Sequence, residues 1–214
     1  MASRQPTHAE ALPETKPALA EADDTSLALA LIAGDAFAPR IAWNRFSPMV
    51  RGMLRRSFGP ASEVEDLVQD VFLSLFRNVS KLRQPATLRA FVIGITVRTL
   101  RYELRRRRVR SWIGLSPNPE IGDLRVVHPD TESREALVRF YELLDRINTR
   151  DRTAFVLHFV EGMDANEVAV ALNTSVPTVR RCLGRAWKRV VLLAERDPAL
   201  VDYVAKLDAE QKSR

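Results

Sequence analysis

Side chains that could do covalent or metal chemistry are few and scattered in this 214-residue chain. The three histidines, His8, His128 and His158, fall in three different segments with no metal-ligand spacing between them. One cysteine, Cys182, excludes an internal disulfide and a Cys-based zinc site, and makes a reducing cytoplasm the natural compartment. There is no phosphate-cradling glycine loop, no dinucleotide-type glycine fingerprint and no nucleophile elbow, and eight glycines leave little material for one. An enzyme is therefore the poorest class, and no metal or cofactor is expected. What the chain does carry is arginine. Seven of the thirteen residues Arg98–Arg110 are arginine, and planar guanidinium forks suit bidentate recognition of phosphate or carboxylate.

The phase of those arginines matters more than their number. On a helix with Phe91 at zero, Arg98, Arg101, Arg105 and Arg108 fall between about 260° and 340° at ~100° per residue. They form a stripe along one shoulder of an apolar side made by Leu88, Phe91, Val92, Ile95, Thr99 and Tyr102. A run without function would spray around the helix. The formal net charge is +6, and residues 25–110 alone carry +10, with sixteen bases against six acids. A phosphate-tracking surface is the physical consequence.

A second basic face is built differently. Ala165–Leu172, the turn Asn173-Thr174-Ser175 and a longer helix to about Leu193 have the spacing of a helix-turn-helix. Asp164 and Glu167 open the first helix with a capping box, Asn173 suits a left-handed exit, and Ser175 is placed to cap the second helix with Pro177 in its first turn. Val179, Leu183, Ala186 and Val190 form one buried stripe. Thr178, Arg181, Arg185 and Lys188 lie opposite, with Arg180 beside them. The first turns of such a helix enter the major groove, where arginine pairs with guanine edges and threonine meets a base or methyl group. Arg185 and Lys188, further along, suit phosphates.

The third face is acidic. Ser62 and Glu65 are spaced as a capping box for a helix whose apolar stripe is Val64, Leu67, Val68, Val71, Phe72, Leu75 and Phe76. Its outward residues include Asp66, Gln69, Asp70 and Leu73. A leucine exposed among two carboxylates and a glutamine is a sensible small protein-docking site.

The elements positioning these faces are all helical. Residues 1–24 read as a disordered tail with a net charge of −3. A first helical domain spans 25–112, with a short helix behind Asp24 stopped by Gly34, a cap at Asp35 and an interruption at Ser47-Pro48. Residues 113–134, with prolines, glycines and acids, form a flexible linker. A second domain spans 135–193, with Thr149 as the cap of one of its helices, and 194–214 is a C-terminal tail. The fold class expected is all-α, two small helical domains. No apolar run approaches a membrane span, and the first residues lack the apolar core of an export signal.

In this order, the features resemble the extracytoplasmic function (ECF) type of bacterial sigma factor, the smallest two-domain class of the sigma-70 family. Glu65-Asp-Leu-Val-Gln-Asp-Val-Phe72 is very close to the family's region 2.2 signature, Leu88–Arg108 resembles regions 2.3 and 2.4, and Ile147–Val190 is similar to region 4, with Val160-Glu-Gly-Met and Ser175-Val-Pro-Thr-Val179 as matching phrases. The chain departs at Phe91, where tryptophan is frequent, at Thr96-Val97-Arg98 in place of Ala-Arg-Asn, and at Thr178-Val-Arg-Arg-Cys182 in place of Thr-Val-Lys-Ser-Arg.

The resemblance implies a −10 interface at Arg98, Arg101, Arg105, Arg106 and Arg108, with Lys81 and Arg83 in the preceding loop near an extruded base. It implies a −35 interface at Ser175, Pro177, Thr178, Arg180, Arg181, Arg185 and Lys188. Asp66, Gln69, Asp70 and Leu73 would bind the β′ clamp coiled coil of core RNA polymerase, with the β flap as a second contact. Implied too are promoter DNA and an anti-sigma factor as partners, a monomeric free form, and a membrane link only through that inhibitor. A stand-alone helix-turn-helix regulator is the alternative; it explains the second domain and leaves the first without a role.

Overall fold

The structure is a computed structural model that describes residues 22–59, 64–112, 131–197, 200, 201 and 204. Among the described residues there is no strand, as the paucity of alternating apolar patterns implies.

The first domain wraps three helices around a fourth. Helix α1 (Asp24–Ala33) is capped by Asp23, whose carboxylate accepts from the Ser26 N–H at 2.8 Å, and it ends at Gly34 with φ 76°. Asp24, expected just ahead of this helix, is its first residue and receives Arg45 at 3.1 Å. Asp35 takes the N–H groups of Phe37 and Ala38, as its position predicts. Helix α2 (Ala38–Phe58) runs through Pro48 as one helix, so of the kink or new cap expected at Ser47-Pro48 the cap is excluded. Phe46, Val50 and Leu54 are buried on both sides of that proline, and their burial outweighs the one lost hydrogen bond.

Helix α3 (Glu65–Asn78) buries Val68, Val71, Phe72 and Leu75, and the Phe72 ring lies 4.5 Å from that of Trp43. The cap expected from Ser62 lies outside the described residues. Glu65 binds Arg51 at 2.9 Å and Arg55 at 3.3 Å instead. Two single 3-10 turns, Val79–Lys81 and Pro85–Thr87, lead into the long helix α4 (Leu88–Trp112).

Helix α4 departs most from the sequence reading. Leu88, Val92 and Ile95 are buried as expected, but Tyr102 is 69% exposed, while Thr96, Val97, Leu100, Glu103 and Leu104 are buried. The cause is that α4 packs on two sides. One side faces α2 and α3; the other faces the second domain. Its apolar residues therefore form two narrow strips rather than one stripe, and a single-face assignment misplaces residues at the seam.

The second domain begins at Thr131, four residues before the expected start, with helix α5 (Thr131–Asp145). Helix α6 (Thr149–Phe155) is capped by Asn148, which accepts the Asp151 N–H at 3.0 Å. Thr149, expected as that cap, is the first helical residue. The helix widens into a π turn over Val156–Val160. Helix α7 (Ala165–Leu172) carries the full capping box: Asp164 accepts from Asn166 and Glu167 N–H groups, and Glu167 accepts from the Asp164 N–H at 2.8 Å. Asn173 leaves it left-handed at φ 48°. Helix α8 (Val176–Ala194) completes the unit. Phe140, Leu144, Phe155, Ala186 and Val190 form its core, joined by Leu200 and Val204 from the segment expected to be a tail.

The two domains pack on one another. Met53 of α2 and Val97 of α4 sit in a cluster otherwise built from Ala154, Leu157, Val168, Leu172 and neighbours of the second domain. Around it, Arg56 pairs with Glu161 through two bonds of 2.8 and 2.7 Å. The buried Arg152 donates to the Ser57 carbonyl at 3.0 Å, and the Tyr141 hydroxyl donates to the Arg56 carbonyl at 2.6 Å. The segment joining the domains, 113–130, lies outside the described residues.

Candidate nucleic-acid interface

Helix α4 presents Arg98, Arg105, Arg106 and Arg108 exposed along its length, with Arg101 half-buried. Arg106 is held by Glu103 at 2.7 Å, and Arg107 binds the same carboxylate at 3.0 Å. Glu103 is 4% exposed, so it splints the arginine run from beneath. It is the only acid in that run, three and four residues from two arginines, and that spacing was the signal that could have found it. Arg107 also lies over the Phe58 ring at 4.3 Å. Burial, then the like charges of Arg105 and Arg150, hold the Arg101 guanidinium below its ordinary pKa. In the preceding loop Lys81 and Arg83 are both exposed, and Lys81 donates to Asn78 at 2.8 Å.

Helix α8 buries Val179, Cys182, Ala186 and Val190. Leu183, expected in that stripe, is half-buried, and Cys182 fills the place at 1% exposure. Burial pushes the Cys182 thiol upward, which disfavours the reactive thiolate. Ser175 stands at the N-cap, but its side chain takes no backbone N–H. Its hydroxyl instead meets that of Thr178 at 2.9 Å, and Arg181 donates to the same Thr178 oxygen at 3.2 Å. Pro177 is exposed in the first turn, and Arg180, Arg181, Arg185 and Lys188 are exposed beyond it.

Arg185 is less available than its position on the helix implies. It grips Asp151 of α6 through two bonds of 2.9 and 2.7 Å. Asp151 is 1% exposed and also accepts from the Asn148 side chain at 2.7 Å. Burial raises the Asp151 carboxyl, but the Arg185 and Asn148 hydrogen bonds outweigh it and hold that group below the usual carboxylate range. The same pair raises Arg185. The pair fixes the angle of α8 on α6. Asp151 had been invisible in the sequence, because its partner lies 34 positions away. Arg108 of α4 and Arg185, Lys188 and Arg189 of α8 line one open groove of about 490 Å³, so the two basic faces adjoin.

On α3, Asp66, Gln69, Asp70 and Leu73 are all exposed, Leu73 at 50%. They follow i, i+3, i+4, i+7 spacing and so share one face. Glu65, at the same end, is taken by Arg51 and Arg55. Among the described residues no helix is long and apolar enough to cross a membrane, and no group of three or more His, Cys, Asp or Glu could hold a metal ion.

Comparison with known proteins identifies the family. Residues 42–110 match the model of Sigma-70 region 2, and residues 137–190 match that of Sigma-70, region 4. RNA polymerase sigma factor CnrH of Cupriavidus metallidurans is 31% identical over 153 residues, spanning 66% of this chain and 79% of CnrH. The ferric citrate uptake sigma factor FecI of Escherichia coli is 27% identical over 151 residues, 67% of this chain and 83% of FecI. In fold, the chain is similar to CnrH as solved in complex with the cytosolic domain of CnrY (TM-score 0.57, 22% identity, 81% of this chain and 98% of that one). It is similar also to the sigma factor RpoE as solved with the anti-sigma factor NepR from Bartonella quintana (TM-score 0.54, 19% identity, 74% and 97%). The chain belongs to the extracytoplasmic function sigma factors of the sigma-70 family.

Proposed function

We infer that the chain, as a member of the sigma-70 family, acts in transcription initiation. We propose that residues 25–112 serve as the unit that docks on core polymerase and engages the −10 element, and residues 135–193 as the unit that reads the −35 element. Asp66, Gln69, Asp70 and Leu73 meet the β′ clamp coiled coil, and the second domain meets the β flap. Arg98, Arg101, Arg105, Arg106 and Arg108 track phosphates near −10, with Lys81 and Arg83 at a base extruded from the strand. Ser175, Pro177, Thr178, Arg180, Arg181 and Lys188 face the −35 groove. Arg181 is the base-reading residue, and Arg185 reaches phosphate with whatever the Asp151 pair leaves free.

The observation that carries this reading is the exposed face of α3. Two carboxylates, an amide and a half-exposed leucine stand there without a partner among the described residues, a surface that a stand-alone DNA-binding regulator does not need. CnrH and RpoE were solved with CnrY and NepR, and an anti-sigma partner is proposed here by analogy.

The test is transcription by reconstituted holoenzyme over a promoter library varied at every −10 and −35 base. Arg181→Ala is expected to relax preference at one or two −35 positions, at a cost of ~1–3 kcal/mol, and to leave −10 preference alone. Equal loss on all promoters with Arg181→Ala, together with altered −35 preference in Arg105→Ala, would reverse the assignment of the two domains.

A further inference from the structure

Three arginines from both domains converge where α4 meets α7. Arg98 and Arg101 come from α4 and Arg150 from α6, and they line a cleft of about 810 Å³ walled by Gly94, Ala171, Asn173 and Thr174. No carboxylate lines this cleft, and among the described residues none forms an ion pair with the three. Arg150 reaches only the Thr174 hydroxyl, at 3.2 Å. Arg101 Nε is buried with no acceptor at all. Near the C-terminus of α7, the carbonyls of Ala169 and Val170 already accept from the N–H groups of Thr174 and Asn173. A Cβ added at Gly94 would meet nothing within 4 Å, so that wall is open.

A guanidinium does not shed its proton, so a half-buried one among like charges is stabilised by gaining an anion. We propose that Arg98, Arg101 and Arg150 form an oxyanion site between the two domains, which takes a phosphate-class group of at least two negative charges. Three forks around one cleft match such a group better than a single carboxylate, because each can bind two oxygens. Since the arginines come from both domains, the filled site ties the domains in the closed arrangement. Arg150 is the telling residue, lying outside both surfaces proposed for promoter contact.

The probe is pyrophosphate, titrated calorimetrically into the full chain at low salt, with no polymerase present. The expected result is saturable binding of one equivalent, weakened tenfold or more by Arg150→Gln and less by Arg150→Lys. Arg77→Gln, an exposed arginine on α3, should leave it unchanged, and circular dichroism checks that each variant is folded. Should Arg150→Gln not fold, Arg150→Lys must weaken binding measurably where Arg77→Gln does not. A second titration with a duplex of arbitrary sequence separates two sources of phosphate. Unchanged duplex affinity in the Arg150 variant assigns the site to a small phosphate compound, and a matching loss assigns it to a nucleic-acid backbone. Absence of saturable binding at millimolar pyrophosphate, or equal loss in the Arg77 variant (an adventitious ion only), overturns the proposal. None of these readouts involves polymerase or a promoter sequence, so failure here leaves the sigma-factor reading to its own test.

Discussion

Truncating the apolar centre of the domain interface should open the molecule without unfolding its parts. Val97 is fully buried and Met53 is 4% exposed, and both lie in a cluster otherwise built by the second domain. Val97→Ala removes two methyl groups at about 0.8 kcal/mol each, or roughly 1.5 kcal/mol. Met53→Ala adds about 2–3 kcal/mol, the lower part of the range for buried methionine, because water can enter an interface more easily than a core. The double variant thus loses about 4 kcal/mol of closure, a factor of about 10³ in the closed-to-open ratio. The polar clasp remains, with Arg56 half-exposed and paired through two bonds to a largely buried Glu161, so part of the closure persists in the double variant. Small-angle scattering is expected to show a larger radius of gyration for the double variant, with unchanged helical content. Urea unfolding should then separate into two transitions. An unchanged radius together with a single transition shifted by about 4 kcal/mol would show that α2, α4, α6 and α7 share one inseparable core, and would refute the reasoning.

Asp151→Ala leaves Arg185 free to rehydrate, so it should cost about 2 kcal/mol, less than the ~3–5 kcal/mol typical of breaking a fully buried pair, as read by urea denaturation. Because the Asp151 carboxyl lies below its ordinary value in the folded chain, its contribution is present above about pH 4. It fades as the pH falls through the lower folded value, so the wild-type advantage over Asp151→Asn should vanish in acid. Tyr102→Ala should change stability by less than about 0.5 kcal/mol, since the ring is largely in water; a loss of several kcal/mol would restore the single-stripe view of α4. Replacing Arg105 by Ala should weaken promoter binding alike for all sequences and reduce the salt slope by about one unit, measured by titration at several ionic strengths.

What was legible in the sequence was local. Asp164 with Glu167, Asn173 and Gly34 announce their caps and exits because each acts within four residues of itself. The apolar stripe of α3 reads cleanly because that helix buries one side and leaves the other open. Helix α4 could not be read this way: Tyr102, expected on the buried side, is exposed, and Val97, given no place in that stripe, is buried because a second domain covers one flank. Asp151 beneath Arg185, Glu161 against Arg56, and Leu200 and Val204 in the second core are likewise products of tertiary contact, with no short-range signal. The arginine stripe and the α3 face were visible as patterns, but their neighbours were not. The Arg98, Arg101 and Arg150 cleft exists only once both domains are in place.

The central claim, that this chain engages core RNA polymerase through the exposed face of α3, is tested most directly by the affinity of Asp70→Arg for core enzyme. Asp70 is exposed and bonds no described residue, so its reversal should leave the helical spectrum and the unfolding midpoint unchanged. Fluorescence titration of labelled protein with core polymerase is predicted to show affinity reduced by about 2–4 kcal/mol, the range of a charge reversed at the centre of an interface. Wild-type affinity in that variant, with the protein folded, would contradict the account.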